Sequence, residues 1–225
     1  MIEEYGFTIE FNSSAYVRNQ SENFLTRIEG KILYEDDDGE SLLAGKLGAY
    51  YADLQGAIAH REHPYDVLDL RGETELFYSA LYDSKTNEFK ESVLKLFEYE
   101  VFNINLLILD RLEILPEYRG KGLGLACLYR CMQQYQHGCG LVVLKPFPLQ
   151  FETIRESGEK DDRDEREDQE SWRQSLILKE FGTDQKACTR KLEKYYQRLG
   201  FIKIPRTEVM ALNPPYSLSP FQGLR

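Results

Sequence analysis

Residues 109–126 read Leu109-Asp110-Arg111-Leu112-Glu113-Ile114-Leu115-Pro116-Glu117-Tyr118-Arg119-Gly120-Lys121-Gly122-Leu123-Gly124-Leu125-Ala126. An apolar strand runs into a loop with glycines at alternate positions, Gly120, Gly122 and Gly124, and a helix-forming run follows at once. Glycines let the main chain approach a phosphate closely, and the N-terminus of a helix aims free N–H groups at it. The stretch therefore points to a phosphate-bearing cofactor. Two familiar cradles are excluded by spacing. A Walker loop needs Ser or Thr after Gly-Lys, and here Gly122 follows Lys121. A dinucleotide fingerprint needs G-x-G-x-x-G, and the third glycine position falls on Leu125 or Cys127. The spacing that fits is Arg119-x-x-Gly122-x-Gly124.

Working outward, Asn103 to Leu115 is a near-continuous apolar run and reads as a central strand buried on both faces. Tyr5 to Phe11, Thr26 to Tyr34 and Leu42 to Leu54 read as three earlier strands. Asp36-Asp37-Asp38-Gly39 turns the second into the third. Helical spacing predicts helices over 65–82 and 88–98. After the glycine loop, Gly122 to Gln136 reads as a helix and Leu141 to Phe147 as a strand. Trp172 to Phe181 reads as a short helix, Gln185 to Leu199 as a longer one, and Glu208 to Leu212 as a last strand. The expected class is α/β (α+β): a mixed, mostly antiparallel twisted sheet flanked by helices. One domain over 1–212 is expected, with a Pro-containing tail at 213–225.

Hydrophobic residues make up 42% of the 225 and charged residues 29%, an ordinary globular composition. No apolar run reaches membrane-spanning length, and Met1-Ile2-Glu3-Glu4 is not a signal-peptide start, so a cytoplasmic protein without membrane contact is expected. The four cysteines form no C-x-x-C pair, and the three histidines form no ligand cluster, so no metal is expected. The net charge of −10 disfavours nucleic acid. Glu152 to Glu170 holds ten acids against four bases and reads as an acidic insertion spanning about 152–172.

The signature at Arg119–Gly124, with the Pro116-Glu117-Tyr118 flank, resembles that of the GNAT superfamily (GCN5-related) of acyl-CoA-dependent N-acetyltransferases. The run from Leu192 to Phe201 is similar to the family's last helix motif, with Tyr196 five residues before Phe201. The likeness covers about a third of the chain, residues 104–150 and 185–212. The first hundred residues depart from it, because the helical segment follows the third strand rather than the first. The resemblance implies a GNAT-like fold with an acyl-CoA cleft between two splayed central strands. It implies acetyl-CoA held by Arg119, Gly120, Lys121, Gly122, Leu123 and Gly124, with main-chain contacts from Leu112, Glu113 and Ile114. It implies Tyr196 as the acid on the leaving sulfur.

For the base, strand alternation sets Asp110 on one face with Ile108, Leu112 and Ile114. Apolar neighbours would raise its pKa and improve it as a base. A plain pair with Arg111 is the other reading, and Glu113 is the second choice. The resulting expectation is transfer of acetyl to a primary amine by direct attack in a ternary complex. A CoA-binding sensor or scaffold without turnover is the rival. The acceptor is expected to be a small-molecule or peptide amine, cationic, bound by the aromatics Tyr65, Phe77, Tyr78 and Tyr82 and the acids of the segment 53–97. A homodimer stays open.

Overall fold

The structure, a computed structural model, describes residues 6–17, 20–72, 74–152 and 163–214, with backbone alone at 163–166. The strands are β1 (Phe7–Ser13), β2 (Leu25–Glu35), β3 (Ser41–Ala52), β4 (Leu106–Ile114), β5 (Leu141–Leu144), β6 (Ile202–Lys203) and β7 (Met210–Leu212). They form one seven-stranded sheet in the order β1-β2-β3-β4-β5-β7-β6. Every neighbouring pair is antiparallel except β4 and β5. The mixed, mostly antiparallel sheet expected from the sequence is present. The β2–β3 turn falls at Asp36–Gly39 as expected: the Asp36 carboxylate accepts the N–H groups of Asp38 and Glu40, and Gly39 takes φ +78°.

Four short helices lie between β3 and β4: α1 (Leu54–Ala59), α2 (Pro64–Asp69), α3 (Glu75–Leu81) and α4 (Glu91–Leu94). The two longer helices expected at 65–82 and 88–98 are corrected here. The first breaks after Leu70, where the Thr74 hydroxyl donates to the carbonyls of Leu68 and Arg71 that a continuing helix would use. The second starts late because the Lys90 N–H is bound to the Leu81 carbonyl. Leu54, expected to end a strand, instead opens α1, with Asp53 as N-cap accepting from the Gly56 N–H at 3.0 Å.

The chain continues with α5 (Leu123–Tyr135), α6 (Arg163–Ser175) and α7 (Gln185–Gln197). The described part of the acidic insertion is thus helix α6, which already includes Trp172, and a 3₁₀ turn follows at Leu178–Phe181. The tail expected from 213 begins ordered: Asn213 is buried and its amide donates to the carbonyls of Tyr99 and Glu100. Residues 215–225 lie outside the described residues.

Each face of the sheet carries a core. On one face Leu106, Ile108, Leu141 and Val143 pack with Leu54, Val67, Leu68, Phe77 and Leu81 of α1–α3. On the other, Leu107, Leu109, Val142 and Leu144 pack with Leu125, Leu128 and Met132 of α5. All of Leu106–Leu109 are buried, which is why this strand reads as a continuous apolar run rather than an alternation. Among the described residues no helix is long and apolar enough to cross a membrane.

Candidate functional site

β4 and β5 part company in mid-sheet. They pair in parallel only from Leu106–Leu141 to Leu109–Leu144, and β4 then runs on to Ile114. β5 cannot follow, because Pro146 and Pro148 remove two ladder donors. A cavity of about 430 Å³ fills the gap. Leu112 and Ile114 wall it on one side, Leu144 and Phe147 on the other, with Leu192 of α7 and Leu176 closing over it.

The glycine loop opens onto one end of this cavity. Gly120 and Gly122 have φ of +78° and +84°, where side chains are disfavoured. Gly122 is the N-cap of α5, and no side chain caps that end, so the first-turn N–H groups need another acceptor. Gly122, Leu123 and Gly124 all wall the cavity. Gly124 serves close approach: a Cβ there would overlap the Tyr195 hydroxyl and sit 3.1 Å from Leu112 Cδ2. Lys121 is exposed and is not among the described residues that wall the cavity.

Arg119 is committed inward. Its Nε donates to the Ile114 carbonyl at 2.8 Å and its Nη2 to the Leu176 carbonyl at 2.6 Å, while its plane lies over Phe181. Nη1 is buried with no protein partner, and burial holds the guanidinium below its ordinary pKa. Ile114, expected to offer its main chain to a ligand, thus already shares its carbonyl with Arg119. The charged walls of the cavity are Arg111, Arg119, Lys145, Lys191 and Arg198 against Asp110 and Glu113, five bases to two acids in a chain of net charge −10. An uncapped helix end and an unpartnered guanidinium N–H add to this positive lining, an arrangement whose chemistry suits an anion.

α7 supplies the tyrosines. Tyr195 and Tyr196 both wall the cavity, with ring centroids 5.5 Å apart. Burial pushes Tyr196 up to about 12 and raises Tyr195 further. Both hydroxyls therefore stay protonated at neutral pH and can donate. Of the two, Tyr195 is the one whose hydroxyl lies beside Gly124. Lys191, Tyr195 and Arg198 recur at helical spacing on the cavity side, a signal that was available in the sequence.

The face assignment of Asp110 is corrected. Gly48 pairs with Arg111 and Ala49 with Leu109, so Asp110 is the extra residue of a β-bulge. The alternation resets there. Ile108 belongs to the core under α1–α3, while Leu112 and Ile114 belong to the opposite one. The Asp110 carboxylate leans over Gly48, its Oδ2 lying 3.6 Å from where a Gly48 Cβ would stand. Glu113 is 8% exposed and firmly held, accepting from Arg111 Nη1 at 2.9 Å and Trp172 Nε1 at 2.7 Å. Burial alone would lower Arg111, but the carboxylates of Glu113 and Glu152 outweigh it and hold its pKa above the ordinary value. Glu113 is thus built as an anchor for α6 rather than as a mobile base.

The aromatic acceptor wall is also corrected. Phe77, Tyr78 and Tyr82 are buried in the core, with Tyr78 and Tyr82 stacked at 5.5 Å, and the Tyr65 hydroxyl donates to Glu75. No residue of 53–97 walls the cavity among the described residues.

No group of His, Cys, Asp and Glu among the described residues could hold a metal ion. No protein-family model matches the chain, and no curated protein or solved structure matches it.

Proposed function

We propose that this chain is an acyl-CoA-dependent N-acyltransferase of GNAT-like fold, moving an acyl group, acetyl in the simplest case, to a primary amine. The observation that carries the reading is one juxtaposition. A glycine-shaped, uncapped helix N-terminus stands at the mouth of a gap between two parallel central strands. Such a site suits a ligand with a polyanionic end and a long, thin, mostly neutral arm. The N–H groups of Gly120 to Gly124 and the free N–H of Arg119 would take the pyrophosphate. The β4 edge at Leu112 and Glu113 would pair with the amide-bearing arm, and Lys191 and Arg198 add positive charge along α7.

When bound, the thioester supplies an acyl carbon open to attack. The chain's own residues manage protons. The Asp110 carboxylate at the bulge accepts a proton from the acceptor ammonium, directly or through one water. A neutral tyrosine hydroxyl, Tyr196 by resemblance or Tyr195 by its place beside Gly124, donates to the departing sulfur. The amine nitrogen gains the acyl carbon, the C–S bond breaks, and the sulfur leaves as the thiol.

The test is calorimetric titration with acetyl-CoA and with CoA, followed by thiol release against a panel of primary amines. Binding and amine-dependent thiol release are expected. Binding without release for any amine would favour the sensor or scaffold reading, and absence of binding would overturn both.

A further inference from the structure

We infer that Lys191 and Arg198 on α7 read a third phosphate on the acyl donor. The site then takes free coenzyme A thioesters in preference to the same arm on a dephosphorylated nucleotide or on a carrier protein. This rests on the acyltransferase reading above and names the donor class for it. Of the five bases on the cavity wall, three are engaged. Arg111 is paired with Glu113 and Glu152, and Lys145 with Glu208 at 2.7 Å. Arg119 gives two of its N–H groups to the carbonyls of Ile114 and Leu176. Lys191 and Arg198 are exposed, and among the described residues neither pairs with a carboxylate. They leave surplus positive charge on one wall of the cavity, in a chain with 38 acids to 28 bases.

Helix α7 sets this surplus at the phosphate end of the cavity. Tyr195 lies four residues after Lys191 and three before Arg198, the C-cap of α7, so the three share a face. The Tyr195 hydroxyl stands against Gly124 in the first turn of α5. One cation therefore lies a helical turn to each side of that contact, the two about 10 Å apart along the axis. Burial raises the pKa of Tyr195 and the charge of Arg198 works against it, so the guanidinium lies within reach of that hydroxyl. The N–H groups of the glycine loop and Arg119 Nη1 already account for a pyrophosphate. Two further cations beside it call for another strong anion close by. Lysine offers it a point charge and arginine a fork of donors. Coenzyme A carries such an anion, a phosphate on the ribose that also bears the pyrophosphate. Dephospho-CoA lacks it, and an arm on a carrier protein ends at a single phosphate.

The test titrates the full chain by calorimetry with CoA, dephospho-CoA and phosphopantetheine. CoA is expected to bind about tenfold more tightly than dephospho-CoA, near the low end for a charge-assisted contact. The preference should shrink as salt is raised, since both side chains are exposed. Lys191→Gln and Arg198→Gln are each expected to lower the ratio about threefold, and together to bring it to about one. Lys194→Gln is expected to keep the ratio, because Lys194 is an exposed cation of the same helix that does not wall the cavity. The proposal is overturned if dephospho-CoA or phosphopantetheine binds as tightly as CoA. It is also overturned if the double variant leaves the ratio unmoved, or if Lys194→Gln lowers it equally. In each of those cases CoA still binds and the acyltransferase reading stands, whereas binding of none of the three ligands overturns both.

Discussion

Single residues divide the labour of the site, and each division can be checked. Gly122 combines a left-handed backbone with a place on the cavity wall at the helix end. Gly122→Asp keeps the fold, because Asp is among the residues that best tolerate positive φ, but sets a carboxylate where an anion should sit. Loss of detectable CoA binding with an unchanged circular-dichroism spectrum is expected from calorimetry. Normal affinity would remove the cradle from the argument. The tyrosines separate by substitution. Each general acid is worth roughly 100- to 10,000-fold in rate, so removing the operative hydroxyl costs that much in kcat with CoA affinity nearly intact. Tyr196→Phe is expected to show this loss if the resemblance holds for the acid, and Tyr195→Phe if proximity to Gly124 decides. Full activity in both variants would leave proton donation to water.

Elements explain which parts of the site could be read from the chain. β4, its loop and α5 were legible because the signal is local: buried leucines, alternate glycines and an amphipathic run within thirty residues of one another. The bulge at Asp110 was not, because it exists only in register with Gly48 and Ala49 on β3. Short elements such as α1 and β6 carry too few residues for a periodicity. The tie between α6 and β4 was equally hidden, since Trp172 reaches Glu113 across 59 residues of sequence. That tie is testable. Arg173 adds bonds to Glu152 Oε2 and to the carbonyls of Leu149 and Glu152, so its side chain helps fasten α6 at its C-terminal end. Trp172→Phe preserves most of the ring's bulk and Lys46's aromatic partner but strips one donor from a buried carboxylate. A loss of about 1–3 kcal/mol in urea denaturation is expected. Glu113→Gln in the same background should recover part of it by removing the charge, and no change in the first variant would deny Glu113 its anchoring role.

At the scale of the whole molecule, stability against pH follows from what the core beneath α5 buries. Cys127, Cys131 and Cys139 are free thiols, and burial pushes each from 9.0 up to about 12. Burial moves Tyr196 from 10.0 to about 12 in the same direction. In each case the folded state holds its proton longer than the unfolded chain. Their contribution is complete below about pH 9, where both states are protonated, and is lost as pH rises toward about 12. Unfolding midpoints in urea should therefore be flat through neutrality and fall above pH 9, more steeply once the tyrosine joins. General repulsion also grows there, because a chain already at −10 becomes more negative. Substitution separates the two causes. Cys131→Ala removes a fully buried thiol, so it lowers stability at neutral pH through the space it leaves. Its midpoint should then fall less steeply above pH 9 than that of the parent, because one proton fewer is released on unfolding. If the slopes of parent and variant coincide, the alkaline loss belongs to net charge alone and the buried thiols have no part in it.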